Sequence, residues 1–205
     1  DIQPCDFTTK YDVFLCTLGF EERTYKIIKE YASKGLLNDS IIILITYPTN
    51  KTENSANLIH FEEAAEKVKY FYTIEYERQN FSQILDKLFK ERFSNQIKVA
   101  FDISTCSSYV FYPAMKVIMN FDIDLTILYS EADLYFPTKE EWEDVATRAA
   151  KEDGVFVQSF ENAEFQSIGV DDIYPCTLFS EMNPGNRAAV LIAVPNFSAL
   201  RMNTI

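Results

Sequence analysis

Histidine is almost missing from this chain: His60 is the only one in 205 residues. Imidazole-based metal sites and Ser-His-Asp chemistry therefore have little to draw on, and His60 itself, before Phe61 and two glutamates, reads as a surface or half-buried helix residue. Glycine is scarce, with five in all. The first loop, Leu18-Gly19-Phe20-Glu21-Glu22-Arg23-Thr24, holds a single one, so it is neither a G-x-G-x-x-G fingerprint nor a P-loop, and NAD or ATP bound in the usual way is not expected. Four cysteines, Cys5, Cys16, Cys106 and Cys176, share no C-x-x-C or other paired spacing. That pattern suits reduced thiols and argues against a disulfide framework or a zinc site.

Positive charge is also short. Nineteen Lys and Arg face 31 Asp and Glu, for a formal net charge of −12. General binding to nucleic acid or to a membrane surface would need a basic face. A small anion is still accommodated, because a few N–H groups and one Arg can hold a phosphate locally. No signal-peptide pattern or apolar run of membrane-spanning length occurs, so a cytoplasmic location is expected. The chain begins without Met, and residues 201–205 read as the opening of a helix; a piece of a longer protein is expected.

What is present is apolar mass: 47% hydrophobic residues and 15% aromatics, enough for a full core and against disorder. Residues 12–18 read as a buried strand and 24–33 as a helix with a stripe of Tyr25, Ile27, Ile28 and Tyr31, closed by Gly35. Residues 41–47, continuous and branched, have the look of a parallel strand covered on both faces. A polar loop over 48–57 and a helix over 55–68 follow. Residues 70–76 form a third strand, 81–93 an amphipathic helix, 97–103 a fourth strand, 109–120 a helix and 125–129 a fifth strand.

Strands alternate with helices throughout, which predicts an α/β, Rossmann-like, three-layer doubly wound fold with a mainly parallel sheet in the order 3-2-1-4-5. A first domain is expected over residues 1–138. Residues 139–205 follow as a C-terminal extension: a charged helix around Trp142, a polar connector and a strand over 188–194. Val190–Phe197 can be laid over Val13–Phe20, each with an Arg soon after (Arg201, Arg23). The extension is thus either a sixth strand or the start of a second α/β half.

The centre of this layout is Val99-Ala100-Phe101-Asp102-Ile103-Ser104-Thr105-Cys106-Ser107-Ser108. An apolar strand ends in an aspartate and then in small hydroxyl residues just before a helix. In open α/β sheets ligands bind outside the carboxyl ends of strands where the strand order reverses, here between the first and fourth strands, with Gly19–Arg23 opposite Asp102–Ser108. Ser and Thr in that place either cap the helix or face a ligand. Arg23 either clamps a phosphate bidentately or pairs with a nearby acid, while Glu21 and Glu22 complement the helix dipole.

The second-strand loop, with Asn50, and the fifth-strand end, with Tyr129, Ser130, Glu131, Asp133 and Tyr135, carry groups suited to a base or ribose, or simply to turns. Asp102, Glu131 and Asp133 are acids that could gather round a divalent cation. Nothing in their spacing brings them together, and neither a metal nor a cofactor is expected.

At Phe101-Asp102-Ile103-Ser104-Thr105, with Leu18-Gly19-Phe20 in the first loop, residues 11–137 resemble the CRISPR-associated Rossmann-like (CARF) sensor domains. That family places an aspartate and then Ser or Thr at the end of its fourth strand, followed by a basic residue in the loop; here Ser108 or Tyr109 stands at that place. Gly19–Arg23 combined with Asp102–Thr105 also resembles bacterial proteins of defence-type gene neighbourhoods. The resemblance implies a nucleotide or short (cyclic) oligonucleotide sensor in antiviral defence, working with another domain or protein as a homo- or hetero-oligomer.

On that reading Gly19, Arg23, Ser104, Thr105, Ser107 and Ser108 hold phosphate. Asn50, Glu131 and Tyr135 contact base or ribose, and Asp102 orders the loop or takes a ribose hydroxyl. Two other readings stand beside it. One is a nucleotide or phosphodiester hydrolase using Asp102 or Glu21 as base, or Ser104 as a weakly activated nucleophile. The other is a structural subunit with a vestigial pocket.

Overall fold

The computed structural model describes residues 4–49, 51–93, 96–133 and 140. Apart from Asp133 and Glu140, these belong to the first of two units into which the chain divides, Asp1–Ala132. Asn50, Tyr135, the helix expected around Trp142, the connector and the strand expected over 188–194 all lie outside the described residues.

Five strands alternate with helices: β1 Val13–Thr17, α1 Arg23–Ser33, β2 Ile41–Thr46, α2 Lys51–Ser55, α3 Leu58–Ala65, β3 Tyr70–Glu75, α4 Phe81–Arg92, β4 Ile97–Asp102, α5 Ser108–Ile118 and β5 Ile123–Leu128. The strands form one sheet in the order β3-β2-β1-β4-β5, and every pair is parallel. Leu15 pairs with Ile43 on one side and with Phe101 on the other, so the middle of the sheet is apolar in three adjacent strands.

The period-two alternation of a strand sends successive side chains to opposite faces. Val13, Leu15, Ile41, Ile43, Ile45, Val99 and Phe101 therefore pack with Phe81, Leu85 and Phe89 of α4 and with Val110, Ala114 and Ile118 of α5. Phe14, Cys16, Ile42, Leu44 and Ala100 pack on the other side with Ile27, Ile28 and Tyr31 of α1 and with Phe61 and Ala64 of α3. This is the physical content of the unbroken apolar runs: both faces of β1, β2 and β4 are covered.

Gly35 closes α1 with a φ of 66°. Its N–H donates to Ala32 O and that of Leu36 to Tyr31 O, a left-handed helix end that glycine adopts without a Cβ penalty.

Three local expectations change. The polar stretch after β2 is not all loop: α2 forms within it, with Asn54 buried and its side-chain amide donating to Thr49 O. The helix expected over 55–68 is shorter, Leu58–Ala65, and Asn57 just before it donates its side-chain amide to Gly19 O at 2.9 Å and to Glu21 O at 3.4 Å. β5 also begins at Ile123, two residues earlier than its apolar run implies, because Ile123 and exposed Asp124 already pair with Ile97 and Lys98.

Candidate functional site

β1 and β4 lie side by side, but the chain leaves β1 toward β2 and β4 toward β5. Their carboxyl ends therefore part and open a crevice between residues 18–22 and 103–107. α1 and α5 start there, one on each face of the sheet. Neither helix has a side-chain cap on its first turn: the N-cap residues Glu22 and Ser107 make no capping hydrogen bond. The first-turn N–H groups of Thr24, Tyr25 and Val110 donate back to Glu21 O, Glu22 O and Ser107 O, and the positive ends of both helix dipoles lie at the crevice end of the sheet.

The two loops are sewn together by three threonines. The Thr24 hydroxyl accepts from Gly19 N–H at 2.9 Å and donates to Thr17 O at 2.7 Å. With its single proton committed there, it accepts from the Thr105 hydroxyl at 2.9 Å. Thr17 Oγ1 stands 3.1 Å from the same Thr105 oxygen. The loops can approach this closely only because residue 19 is glycine: a Cβ there would lie 2.8 Å from Thr105 Cβ. Thr105 thus serves the architecture of the crevice as well as its wall.

Asp102 ends β4 with only 2% of its surface exposed. Its Oδ1 accepts from Ser104 N–H at 2.9 Å and from the Ser104 hydroxyl at 2.5 Å, while Oδ2 has no hydrogen-bond partner. Burial pushes its pKa up to about 6, against the opposing pull of the Ser104 bonds and of the Arg23 charge. Ser104 Oγ also accepts from Ser130 N–H at 2.7 Å. Asp102 and Ser104 therefore tie the β4 loop to the β5 loop, the loop-ordering role among those expected for Asp102.

Arg23, the first residue of α1, has its side chain 17% exposed. Its Nε donates to Glu21 Oε2 at 2.6 Å and one Nη to Glu21 Oε1 at 3.4 Å, while the other Nη donates to the Tyr129 hydroxyl at 3.2 Å and to Ser130 O at 3.4 Å. The guanidinium also lies 5.8 Å from the Tyr129 ring centroid. The Glu21 bond is the largest influence holding the Arg23 charge in place. Of the two roles open to Arg23, pairing with a nearby acid is the one seen here, and that acid is Glu21.

Gly19, Phe20, Glu21, Arg23, Tyr47, Thr49, Asn54, Ser104, Thr105, Cys106 and Ser107 line a cavity of about 290 Å³. Tyr47 braces it from the β2 side: its hydroxyl accepts from Ser107 N–H at 2.8 Å and donates toward Thr105 O at 3.4 Å. Ser107 Oγ is shielded from solvent without a hydrogen-bond partner. The Cys106 thiol is pushed up to about 12 by burial and by the nearby Asp102 charge, which makes it a poor nucleophile.

Of the expected site residues, the structure gathers Gly19, Glu21, Arg23, Ser104, Thr105 and Ser107 on this cavity. Asp102 sits behind Ser104, and Ser108 and Glu131 are exposed and are not lining residues. Asn50 and Tyr135 lie outside the described residues. Phe20 and Asn54, in loops the sequence had singled out, line the cavity as well, whereas sequence reasoning passed over Tyr47 and Asn57. Tyr47 directly follows β2, which is the available signal; Asn57 lay where the expected polar loop and helix overlap. Among the described residues no group of three or more His, Cys, Asp or Glu converges in a way that could hold a metal ion.

A larger cavity of about 540 Å³ lies at the opposite, amino-terminal end of the strands, lined by Lys10, Asp12, Asp39, Ser40, Gln96, Lys98 and Asp124 among others. Its lining carries charges of both signs, with Asp12, Asp39 and Asp124 beside Lys10 and Lys98, and the helix ends on that side are carboxyl ends, which repel anions. Size favours it, but the electrostatics of an anionic ligand favour the crevice between β1 and β4.

No protein-family model matches the chain, and no curated protein matches it. Among solved structures, a universal stress protein in complex with cAMP is similar to 60% of this chain and 100% of its own, at 10% sequence identity and a TM-score of 0.34.

Proposed function

We propose that this chain is a binding module for a nucleotide or short oligonucleotide, seated in the crevice between the carboxyl ends of β1 and β4. The observation that carries the reading is the cavity of about 290 Å³ placed at the reversal of strand order, with Arg23 and Ser107 on its wall. Its volume is near the lower end of the roughly 300–1,000 Å³ of small-molecule sites. Phosphate oxygens are favoured by the positive dipole ends of two helices that no side chain caps, together with the unpartnered Ser107 hydroxyl. Phe20, 62% exposed on the cavity rim, supplies an aromatic face of the kind on which bases stack.

Binding is favoured over turnover by the state of each reactive group. The Ser104 hydroxyl both donates to Asp102 and accepts from Ser130 and is buried, so its oxygen is held in the loop's own hydrogen bonds and not presented to a ligand. Glu21 is engaged by Arg23. Asp102, though poised near pH 6, is buried behind Ser104. The module's place in antiviral defence, as a sensor acting through a further domain or protein partner, rests on the resemblance of the β4 loop to CARF sensors.

The test is incubation of the purified protein with nucleotides and linear and cyclic oligonucleotides, following thermal stability and product formation by mass spectrometry. A ligand that binds only the native state raises the melting temperature, so stabilisation without turnover is expected. Product formation would move the assignment to a hydrolase, and silence on both counts would leave a structural subunit.

A further inference from the structure

The contact that bears on ligand choice is the one between Arg23 and Glu21. Arg23 is the cationic side chain lining the cavity, and Glu21 lines it too. The carboxylate meets the guanidinium through both of its oxygens, at 2.6 Å and 3.4 Å. That is the fork geometry a phosphate would use. Glu21 is in the loop before α1 with its side chain 39% exposed, so it can turn to solvent without uncovering core. An incoming anion therefore meets an arginine already occupied by a carboxylate and must displace it.

We infer that Glu21 is a resident competitor for Arg23, which selects ligands ending in a phosphate monoester over phosphodiesters. This rests on the binding-module reading and narrows it to nucleotides and linear oligonucleotides with a terminal phosphate. A diester carries one negative charge, the same as the carboxylate it would replace, and gains little from the exchange. A terminal monoester carries about −1.5 to −2 at pH 7 and three acceptor oxygens. It holds the guanidinium more strongly and still has oxygens left for the Ser107 hydroxyl at the start of α5.

The probes are 5′-AMP and 3′,5′-cyclic AMP, which share base and sugar and differ in the phosphate. Titration calorimetry at pH 7.5 on the wild type is expected to give at least tenfold tighter binding of 5′-AMP. Glu21→Gln keeps the size of the side chain and removes its charge. In that variant cyclic AMP is expected to gain several-fold or more, and the ratio between the two ligands is expected to shrink. Equal affinities in the wild type, or a ratio unchanged in Glu21→Gln, would overturn the competitor role while leaving the binding module intact. Absence of binding by both ligands to both proteins would overturn the reading beneath it as well. A thermal melt of Glu21→Gln matching the wild type shows that the comparison is between folded proteins.

Discussion

Thr105 occupies the space that a side chain at position 19 would need. A Cβ on Gly19 would lie 2.8 Å from Thr105 Cβ, 2.9 Å from Oγ1 and 3.0 Å from Cγ2, closer than atoms in a packed interior tolerate. The contact joins the first loop to the fourth and sets the width of the crevice. Gly19→Ala is therefore expected to destabilise the protein by about 1–3 kcal/mol, the range for forced overpacking. Combining it with Thr105→Gly should recover part of that loss, giving a favourable coupling on the order of 1 kcal/mol in a urea-denaturation double-mutant cycle. Strictly additive losses would mean that the two loops are not held by this contact.

The buried carboxyl of Asp102 gives a pH signature. Its folded pKa of about 6 lies above the ordinary aspartate value of about 3.9, so the native state holds the proton more tightly than the unfolded chain. The stability contributed by this residue is thus highest below about pH 4 and is lost as pH rises through about 6. Asparagine at 102 keeps an acceptor for Ser104 but cannot ionise. The stability of Asp102→Asn minus that of the wild type should rise by about 2 kcal/mol between pH 4 and pH 7. Chemical denaturation at several pH values measures it, and a difference flat with pH would place the charge of Asp102 outside the fold's energetics.

Arg23 separates the site from the scaffold. Its ion pair with Glu21 is partly exposed, and such pairs contribute about 0–1 kcal/mol to stability. Arg23→Ala is expected to lower the melting temperature only slightly while weakening 5′-AMP binding tenfold or more in titration calorimetry. Unchanged affinity would remove Arg23 from the binding role and leave it as a tether between α1 and the β5 loop.

The sheet order was legible in the sequence because its evidence is local and repeated. Ile41–Thr46 is apolar at every position but the last, and each strand is followed by a helical stripe, so parallel pairing with crossovers was the consistent solution. The pairing of Gly19–Arg23 with Asp102–Ser108 followed from that order alone. What a linear reading could not supply were the partners of individual side chains. Arg23 had two acids beside it in sequence, and only the bend of the loop selects Glu21. Asn57 and Tyr47 brace the crevice from 36–60 residues away in sequence from their partners, and no spacing rule encodes that reach. Asp102 and Ser104 could equally have faced a ligand; Ser130 N–H, brought in by β5, is what turns the serine inward.

The claim that the crevice between β1 and β4 is the ligand site is tested most directly by amide NMR during titration of the ¹⁵N-labelled protein with 5′-AMP. Saturable shifts are expected at Gly19, Arg23, Ser107 and Ser108, where the two helix starts meet the cavity. Shifts centred instead on Lys10, Ser40, Gln96 and Lys98 at the other end of the sheet, or no saturable shifts at all, would contradict it.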